Sequence, residues 1–186
     1  METGTGNAIP ARYSAVAMLL HWLIAALVLA NIGLAELTED LSREARGPYM
    51  DIHKAFGISV LTLMLVRLAW RIRHKPPPFP CTMARWEKAL ARATHWIFYG
   101  LLLALPLSGW LWMSTVPAPV SYFGLFDVPV WPVAGNETLG DVLHEAHEIM
   151  GKAIFYLAIF HTLAAFKHLV IDKDGVFGRM LPGRSI

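Results

Sequence analysis

Histidines in apolar segments are the side chains of this chain best suited to carry out chemistry. The sequence contains eight histidines, and four of them lie in or at the ends of long apolar segments: His21, His53, His147 and His161. A histidine inside a bilayer is costly and usually functional, and neutral imidazole is an axial ligand of haem iron. These four residues therefore predict axial ligation of haem within a membrane.

The spacing of the last two of these four candidates predicts haems at two depths. His147 and His161 are 14 residues apart, which on one α-helix corresponds to about 21 Å along the axis and a rotation of about 40°. Both side chains then lie on one helix face at two levels, as stacked haems that pass electrons across a membrane require. His53 matches the depth of His147 and is predicted as the opposite ligand of an outer haem. His21 matches the depth of His161 and is predicted as the opposite ligand of an inner haem.

Small residues follow the four candidate ligands by one helical turn. A porphyrin lies flat against the helix of its ligand, so a small side chain is expected at this position. Four residues after the candidate ligands stand, in chain order, Ala25, Gly57, Gly151 and Ala165. Four residues after His95, His144 and His168 stand Tyr99, Glu148 and Asp172. Glycine and alanine are common in membrane helices in any case, so the pattern supports the assignment without deciding it.

The other histidines have several candidate roles. His95 and His168 lie near the inner ends of the third and fourth apolar segments, and each is a candidate inner ligand, quinone-binding group or interfacial residue. His95 could replace His21 opposite His161, because chain order does not reveal which helices are neighbours. His168 follows His161 by seven residues on the same face, which favours a role beside the inner cofactor. Two further histidines and four tryptophans are interpreted as interfacial side chains: His74, His144, Trp22, Trp96, Trp110 and Trp112.

Basic residues near the candidate ligands could hold haem propionates. Arg67 follows His53 by 14 residues, on the same helix face and at about the depth of the inner haem. It is either a bidentate partner of a propionate or an arginine that snorkels to the interface. Four cations near the outer haem could hold its propionates or attract a small anion: Arg43, Arg46, Lys54 and Lys152.

The composition is that of a membrane protein. Hydrophobic residues make up 55% of the 186 residues and charged residues 16%, and the mean hydropathy is +0.45. These values exclude a disordered chain, a coiled coil and an ordinary soluble enzyme. A formal net charge of +2 gives no reason to expect nucleic-acid binding, and the single cysteine excludes a disulfide framework, a zinc–thiolate cluster and covalently attached haem.

Four apolar segments predict four spanning helices in one all-α domain covering residues 1–186, at about 14–35, 52–72, 93–114 and 147–171. Ala15–Ala35 is uncharged over 21 residues, enough for about 30 Å of helix. A signal peptide is the alternative for this segment, but its apolar run is long and its basic flank weak. The second and fourth segments are uncharged only over Ala55–Val66 and Ala153–Phe166. Two buried soluble helices are the alternative there, although no polar domain is present to bury them.

The distribution of basic residues predicts the orientation. Residues 71–92 contain six Lys or Arg, whereas residues 116–142 contain none. The positive-inside rule therefore predicts that both termini and the middle loop are cytoplasmic, in an up-down four-helix bundle. The loop Pro117–Pro132 is rich in proline and aromatic residues, and we expect it to lie on the outer membrane surface.

The ordered motifs of the chain resemble those of the prokaryotic cytochrome b561 family over nearly the whole length. The matching residues are Arg12-Tyr13-Ser14, His21-Trp22, His53 with Gly57 and Leu61, Arg67 with Arg71, His95, Leu105-Pro106, Gly109, His147-Glu148, His161, Lys173-Asp174 and Arg179-Met180-Leu181-Pro182. Each fragment is weak alone, but together and in order they are specific. His144 and the aromatic outer loop have no place in the family pattern.

The resemblance implies an integral protein of the bacterial inner membrane with two non-covalent b haems. Carried over by position, His53 and His147 would hold the outer haem, and His21 and His161 the inner one. Members of the family pass electrons between a donor and the ubiquinone pool. They include a superoxide oxidase, which takes an electron from superoxide and reduces ubiquinone.

The sequence is compatible with three functions. The first is a superoxide:ubiquinone oxidoreductase, with membrane lipid, ubiquinone and superoxide as its partners. The second is an electron-carrier cytochrome b subunit that serves a dehydrogenase, a hydrogenase or another redox-protein donor. The third is a histidine-lined metal transporter or a structural four-helix protein, which would be colourless.

Overall fold

Four long helices make up most of the computed structural model, which describes residues 12–116 and 119–183. They are α1 (Ala15–Leu37), α2 (Arg43–Arg73), α3 (Arg85–Met113) and α4 (Glu137–Lys167). A π-helical turn (His168–Asp172) and a 3₁₀ turn (Phe177–Met180) follow. All four long helices are long and apolar enough to cross a membrane, which confirms the prediction of four spanning helices. The predicted domain 1–186 also includes residues 1–11, 117–118 and 184–186, which lie outside the described residues.

Three of the helices begin about nine residues earlier than predicted. The side chain of Ser42 accepts a hydrogen bond from the Ala45 N–H and caps α2, and Asn136 caps α4 through Leu139 N–H. At α3, Glu87 accepts the backbone N–H of Ala84. Such capped polar turns need no apolar side chains, so hydropathy does not detect them.

These early starts correct the predicted position of two histidines. His53 lies ten residues beyond the first residue of α2, and His147 lies ten residues beyond the first residue of α4. The predicted spans 52–72 and 147–171, which placed both histidines at the start of their helices, therefore begin too late. Arg43 and Arg46 belong to α2 itself, the helix that carries His53.

The helices pack in chain order, with α4 held apart from the first two. The α1 helix packs against α2, α2 against α3, and α3 against α4, whereas α4 approaches α1 and α2 less closely. A buried apolar cluster joins all four helices: Ile24, Val60, Met64, Tyr99, Leu102 and Ile154. Many large apolar side chains are exposed on the outside of the bundle, as expected where helices face lipid.

The α3–α4 connection is a small β-hairpin and not an irregular loop. Strands β1 (Val120–Tyr122) and β2 (Phe126–Val128) pair antiparallel. The hairpin packs on α2, where the Tyr122 hydroxyl lies 3.1 Å from Ser59 Oγ. Pro117 of the predicted surface loop lies outside the described residues. We call the end of the bundle that holds this hairpin and the α1–α2 loop the outer end.

The opposite end, with Arg12, the α2–α3 loop and the C-terminal segment, is called the inner end. Here the C-terminal segment is tied to the start of α1. The Arg12 guanidinium donates to the carbonyls of Leu181 and Gly183. The indole of Trp22 donates to the Met180 carbonyl at 2.7 Å. The last residues of the described chain thus hold the start of α1 in place.

Candidate haem site

The structure brings the four predicted histidines together as two pairs across the bundle. The ring centres of His53 on α2 and His147 on α4 are 6.1 Å apart. Those of His21 on α1 and His161 on α4 are 6.3 Å apart. Helix α4 therefore contributes one histidine to each pair, at two levels of the same face, in the wider space that separates it from α1 and α2.

The separation within each pair fits one metal ion between two imidazoles. A metal–imidazole bond is about 2 Å long and the ring centre lies about 1 Å behind the bonding nitrogen, so two opposite ligands place their ring centres about 6 Å apart. The 6.1 Å and 6.3 Å separations both agree with this geometry. Each pair would therefore be able to hold a haem iron between its two imidazoles, and the iron would supply one-electron transfer there.

Backbone carbonyls orient the two outer imidazoles. The Nδ1 of His147 lies 3.0 Å from the Leu105 carbonyl oxygen, and the Nδ1 of His53 lies 3.2 Å from the Asn31 carbonyl oxygen. A carbonyl oxygen only accepts, so each Nδ1 donates and each Nε2 keeps the lone pair that a metal needs. The Ser108 hydroxyl, 3.1 Å from His147 Nδ1, adds a second neighbour.

Gly109 provides the space that His147 occupies. A Cβ atom at this position would lie 2.8 Å from His147 Cε1 and 3.1 Å from its Nδ1, closer than carbon atoms pack. The roles of Gly109 and Leu105 were not predicted from the sequence, although both lie in the motifs that carry the family resemblance. The sequence feature that could have indicated this close contact is Gly109, a glycine one turn from Pro106 inside an apolar helix.

Two further glycines border space that contains no protein atom. A Cβ atom built on Gly57 or Gly151 meets no heavy atom within 4 Å. These are the predicted small residues one turn beyond His53 and His147. A flat group held by the outer histidine pair would therefore find room against both helices.

Three histidines meet at the inner level. The ring centre of His95 lies 5.6 Å from that of His161, edge to face, and Phe98 lies 5.4 Å from the same ring. His95 Nδ1 lies 2.5 Å from the carbonyl oxygen of Ala91 in its own helix. The two candidates for the inner position, His21 and His95, are thus both next to His161.

An apolar layer separates the two histidine levels. Ile154 lies midway between His147 and His161 on α4 and is 1% exposed. It belongs to the buried cluster that joins all four helices. The space between the two levels is therefore filled with packed apolar side chains, which exclude water from it.

Basic side chains lie near both levels. Arg67 Nε lies 3.4 Å from the Tyr99 hydroxyl, and no carboxylate of the described residues forms an ion pair with Arg67. At the outer level, Arg46 Nη2 donates to the Ala35 carbonyl, while Arg46 Nε and Asn31 Oδ1 are buried without a hydrogen-bond partner. A haem propionate accepts hydrogen bonds, so the guanidinium groups of Arg67 and Arg46 fit haem, whereas Asn31 Oδ1 is itself an acceptor and would need a donor.

The remaining outer cations are Lys54, Arg43 and Lys152. Lys54 forms an ion pair with Asp51 at 2.6 Å, and both Arg43 and Lys152 are exposed. The charge of Lys54 is therefore partly compensated, whereas Arg43 and Lys152 face solvent or lipid headgroups.

His168 is held by two carboxylates at the inner end. Its Nδ1 lies 2.8 Å from Asp174 Oδ2 and 3.1 Å from Asp172 Oδ2. It begins the π-helical turn that ends α4, about 10 Å beyond His161 along the helix. These contacts engage only its Nδ1, and the side chain is 13% exposed.

Two histidines, His74 and His144, contact a tryptophan and a second polar group and lie outside the two histidine pairs. His74 stacks on Trp70 at 3.8 Å and its Nδ1 lies 3.1 Å from the Trp70 carbonyl oxygen. His144 lies 4.3 Å from Trp112 and 3.3 Å from a carboxylate oxygen of Glu148. These contacts account for both imidazoles without a cofactor.

Comparison with known proteins gives one consistent result. The sequence profile of the family described as prokaryotic cytochrome b561 matches residues 12–183. Cytochrome b561 homolog 2 of Escherichia coli (strain K12) is 32% identical over 179 residues, which cover 95% of this chain and 94% of that protein. A protein of Yersinia pestis named "Probable superoxide oxidase CybB" is 30% identical over 92% of this chain and 96% of its own length. Cytochrome b561 homolog 1 of Escherichia coli (strain K12) is 28% identical over 94% of this chain and 99% of that protein.

The family match spans all four membrane helices and both histidine pairs. Cytochromes of this family bind haem b, and the histidine pairs of this chain have the separation that such a group needs. The chain therefore belongs to the prokaryotic cytochrome b561 family and is a haem-binding membrane protein of electron transfer.

Proposed function

We propose that the chain holds two b haems and passes electrons from the outer side of the bacterial inner membrane to ubiquinone. His53 and His147 would hold the outer haem, and His21 and His161 the inner one. The observation that carries this proposal is that two histidine pairs, with ring centres 6.1 Å and 6.3 Å apart, lie at two levels on one face of α4. Haem b, when bound, supplies reversible one-electron transfer at its iron.

The separations favour His21 over His95 at the inner level. Both pairs lie edge to face, but the ring centres of His21 and His161 are 6.3 Å apart, which reaches the separation of about 6 Å that an intervening iron needs, whereas those of His95 and His161 are 5.6 Å apart and fall short of it. His95 then acts as a neighbour of the inner site. Arg67, which lies near this level without an acidic partner among the described residues, is proposed as the donor to an inner propionate.

We place the quinone site at the inner end, beside His168 and within reach of His95. Reduction of ubiquinone to ubiquinol consumes two electrons and two protons. An imidazole whose Nδ1 donates to a carboxylate can hold a proton at Nε2 and pass it to a quinone oxygen. The contacts with Asp172 and Asp174 support this role for His168, because they orient its ring through Nδ1 and stabilise the imidazolium that releases its Nε2 proton.

Superoxide is the proposed electron donor. Two superoxide anions would be oxidised to two molecules of O₂ while one ubiquinone takes up two electrons and two protons. The relative named as a superoxide oxidase supports this assignment. Arg46, with its unpartnered Nε, and the exposed Arg43 and Lys152 would attract the anion locally, although acidic residues outnumber the basic ones at the outer end as a whole.

The test is an optical experiment on the purified protein. A pulse of superoxide is added with and without ubiquinone, and the haem absorption bands are followed. Fast reduction followed by reoxidation that requires ubiquinone would support the proposal. Haem bands that respond to dithionite but not to superoxide would favour an electron-carrier subunit that serves a dehydrogenase or hydrogenase. The absence of haem bands would overturn both proposals.

A further inference from the structure

A basic cavity of about 340 Å³ opens at the inner end of the bundle, between α1, α2 and the α2–α3 loop. Its basic lining residues are Arg12, Arg67, Arg71, His74 and Lys75. The remaining lining residues are aromatic, small or proline, and none carries a carboxylate. Several cations around one cavity without an acidic neighbour create a positive potential that favours an anion.

The cations of this cavity lie at different depths. Arg67 lies at about the level of the inner histidines and is the residue proposed to meet a propionate. Arg71 is one helical turn, about 6 Å, nearer the inner end, and Lys75 lies just beyond the last residue of α2. Neither Arg71 nor Lys75 forms an ion pair with a carboxylate of the described residues. Their charge is therefore available to a second anion, closer to the surface than the haem.

The walls of the cavity are ordered by contacts within the protein. The Trp70 indole donates to Ser14 Oγ at 3.1 Å and stacks on His74 with an angle of 9° between the rings. Both terminal nitrogens of Arg12 are held by backbone carbonyls. Its Nε is buried and has no hydrogen-bond partner in the protein, and a buried donor of this kind calls for an acceptor from a ligand.

We propose that this cavity binds the phosphate group of an anionic phospholipid. Arginine and lysine are the side chains that recognise phosphate oxygens, and basic pockets between helices at the cytoplasmic surface bind the headgroups of anionic lipids. The positive-inside pattern predicts that the inner end lies at this surface. The cavity volume falls within the range of about 300–1,000 Å³ for small-molecule sites, and the indole of Trp70 is suited to the membrane interface.

The proposal is tested by lipid titration of the purified, delipidated full-length protein. Binding of dioleoyl phosphatidylglycerol and of dioleoyl phosphatidylcholine is measured by native mass spectrometry for wild type and for the Arg71→Gln/Lys75→Gln variant. Each lost contact between a cation and the phosphate is worth about a fivefold change in affinity, so we expect about a 25-fold loss for phosphatidylglycerol. Phosphatidylcholine should bind weakly to both proteins.

The matched control is the Arg85→Gln/Lys88→Gln variant. It removes the same charge from the same end of the bundle, but neither residue lines the cavity. Equal losses in the two variants would indicate general surface attraction and overturn the proposal. The single Lys75→Gln variant alters an exposed residue outside the helices, and should lose about fivefold even if the double variant folds poorly.

Two competition experiments identify the source of the anion. Inorganic phosphate, compared with chloride at equal ionic strength, should displace phosphatidylglycerol only weakly. Displacement at similar affinity would assign the cavity to free phosphate, and displacement by ubiquinone would assign it to the quinone; either result overturns the lipid assignment. The haem spectrum is recorded in every variant as a measure of folding, so loss of lipid with intact haem bands separates this proposal from that of the electron-transfer function.

Discussion

Replacement of Gly109 by alanine should loosen the outer haem without disturbing the inner one. The added Cβ would lie 2.8 Å from Cε1 of His147. A return to an ordinary contact of 3.4 Å needs a shift of about 0.6 Å in the imidazole. That shift moves Nδ1 away from the Leu105 carbonyl and from Ser108 Oγ, which now lie at 3.0 and 3.1 Å. The ligand would lose the contacts that orient it.

The expected magnitude follows from the behaviour of such supporting contacts. Loss of a hydrogen bond that orients a metal ligand reduces metal affinity about 10–100-fold, which is about 1.4–2.8 kcal/mol. The purified Gly109→Ala protein should therefore hold closer to one haem than two. The measurement is the haem-to-protein ratio before and after incubation with a haem-accepting apoprotein.

The matched control is Gly100→Ala, on the same helix. A Cβ at Gly100 meets no heavy atom within 4 Å, so this variant changes helix propensity equally without touching His147. It should keep the wild-type haem ratio. If Gly109→Ala retains both haems as tightly as wild type, or if Gly100→Ala loses haem equally, the reasoning about His147 is refuted.

Three further predictions concern the other parts of the site. Gly57→Val places a side chain where no other heavy atom lies within 4 Å of the added Cβ. Circular dichroism should therefore show wild-type helix content, while the haem-to-protein ratio falls. A full haem complement would contradict the assignment of this space to a porphyrin. His21→Leu should remove one haem, whereas His95→Leu should retain both, and the reverse result in the haem ratio would exchange their roles. His168→Ala should slow ubiquinone reduction about 100-fold with both haem spectra unchanged. The control is His74→Ala, which removes a ring that packs on Trp70 and should reduce quinone at the wild-type rate. Loss of a haem band in His168→Ala would show that a ligand was misassigned.

The four membrane helices could be recognised from local properties of the chain. Apolar segments such as Ala15–Ala35 bury their backbone hydrogen bonds within themselves, so membrane insertion depends on composition more than on partners. The relation of His147 to His161 was equally accessible, because 14 residues on any helix place two side chains on one face. In both cases the residues that form the pattern belong to one helix, so composition and spacing are sufficient to predict the feature.

The helix boundaries were harder to predict from the sequence, because polar turns outside an apolar segment leave no hydropathy signal. The starts of α2 and α4 depend on the caps Ser42 and Asn136 and on the turns that follow. The hairpin that contains Tyr122 depends on its contact with Ser59 in α2, far away in the sequence. Neither feature is visible in the composition of its own segment.

The spacing of the histidines, together with the apolar segments, was sufficient to predict a four-helix membrane protein with histidines at two levels, because these are properties of single helices. Only the tertiary structure decided that His95 also reaches His161, that the Leu105 carbonyl orients His147 and that Gly109 provides its space. These contacts join residues of different helices, and the distance between two helices is set by the packing of all four. No local pattern within one helix contains that information.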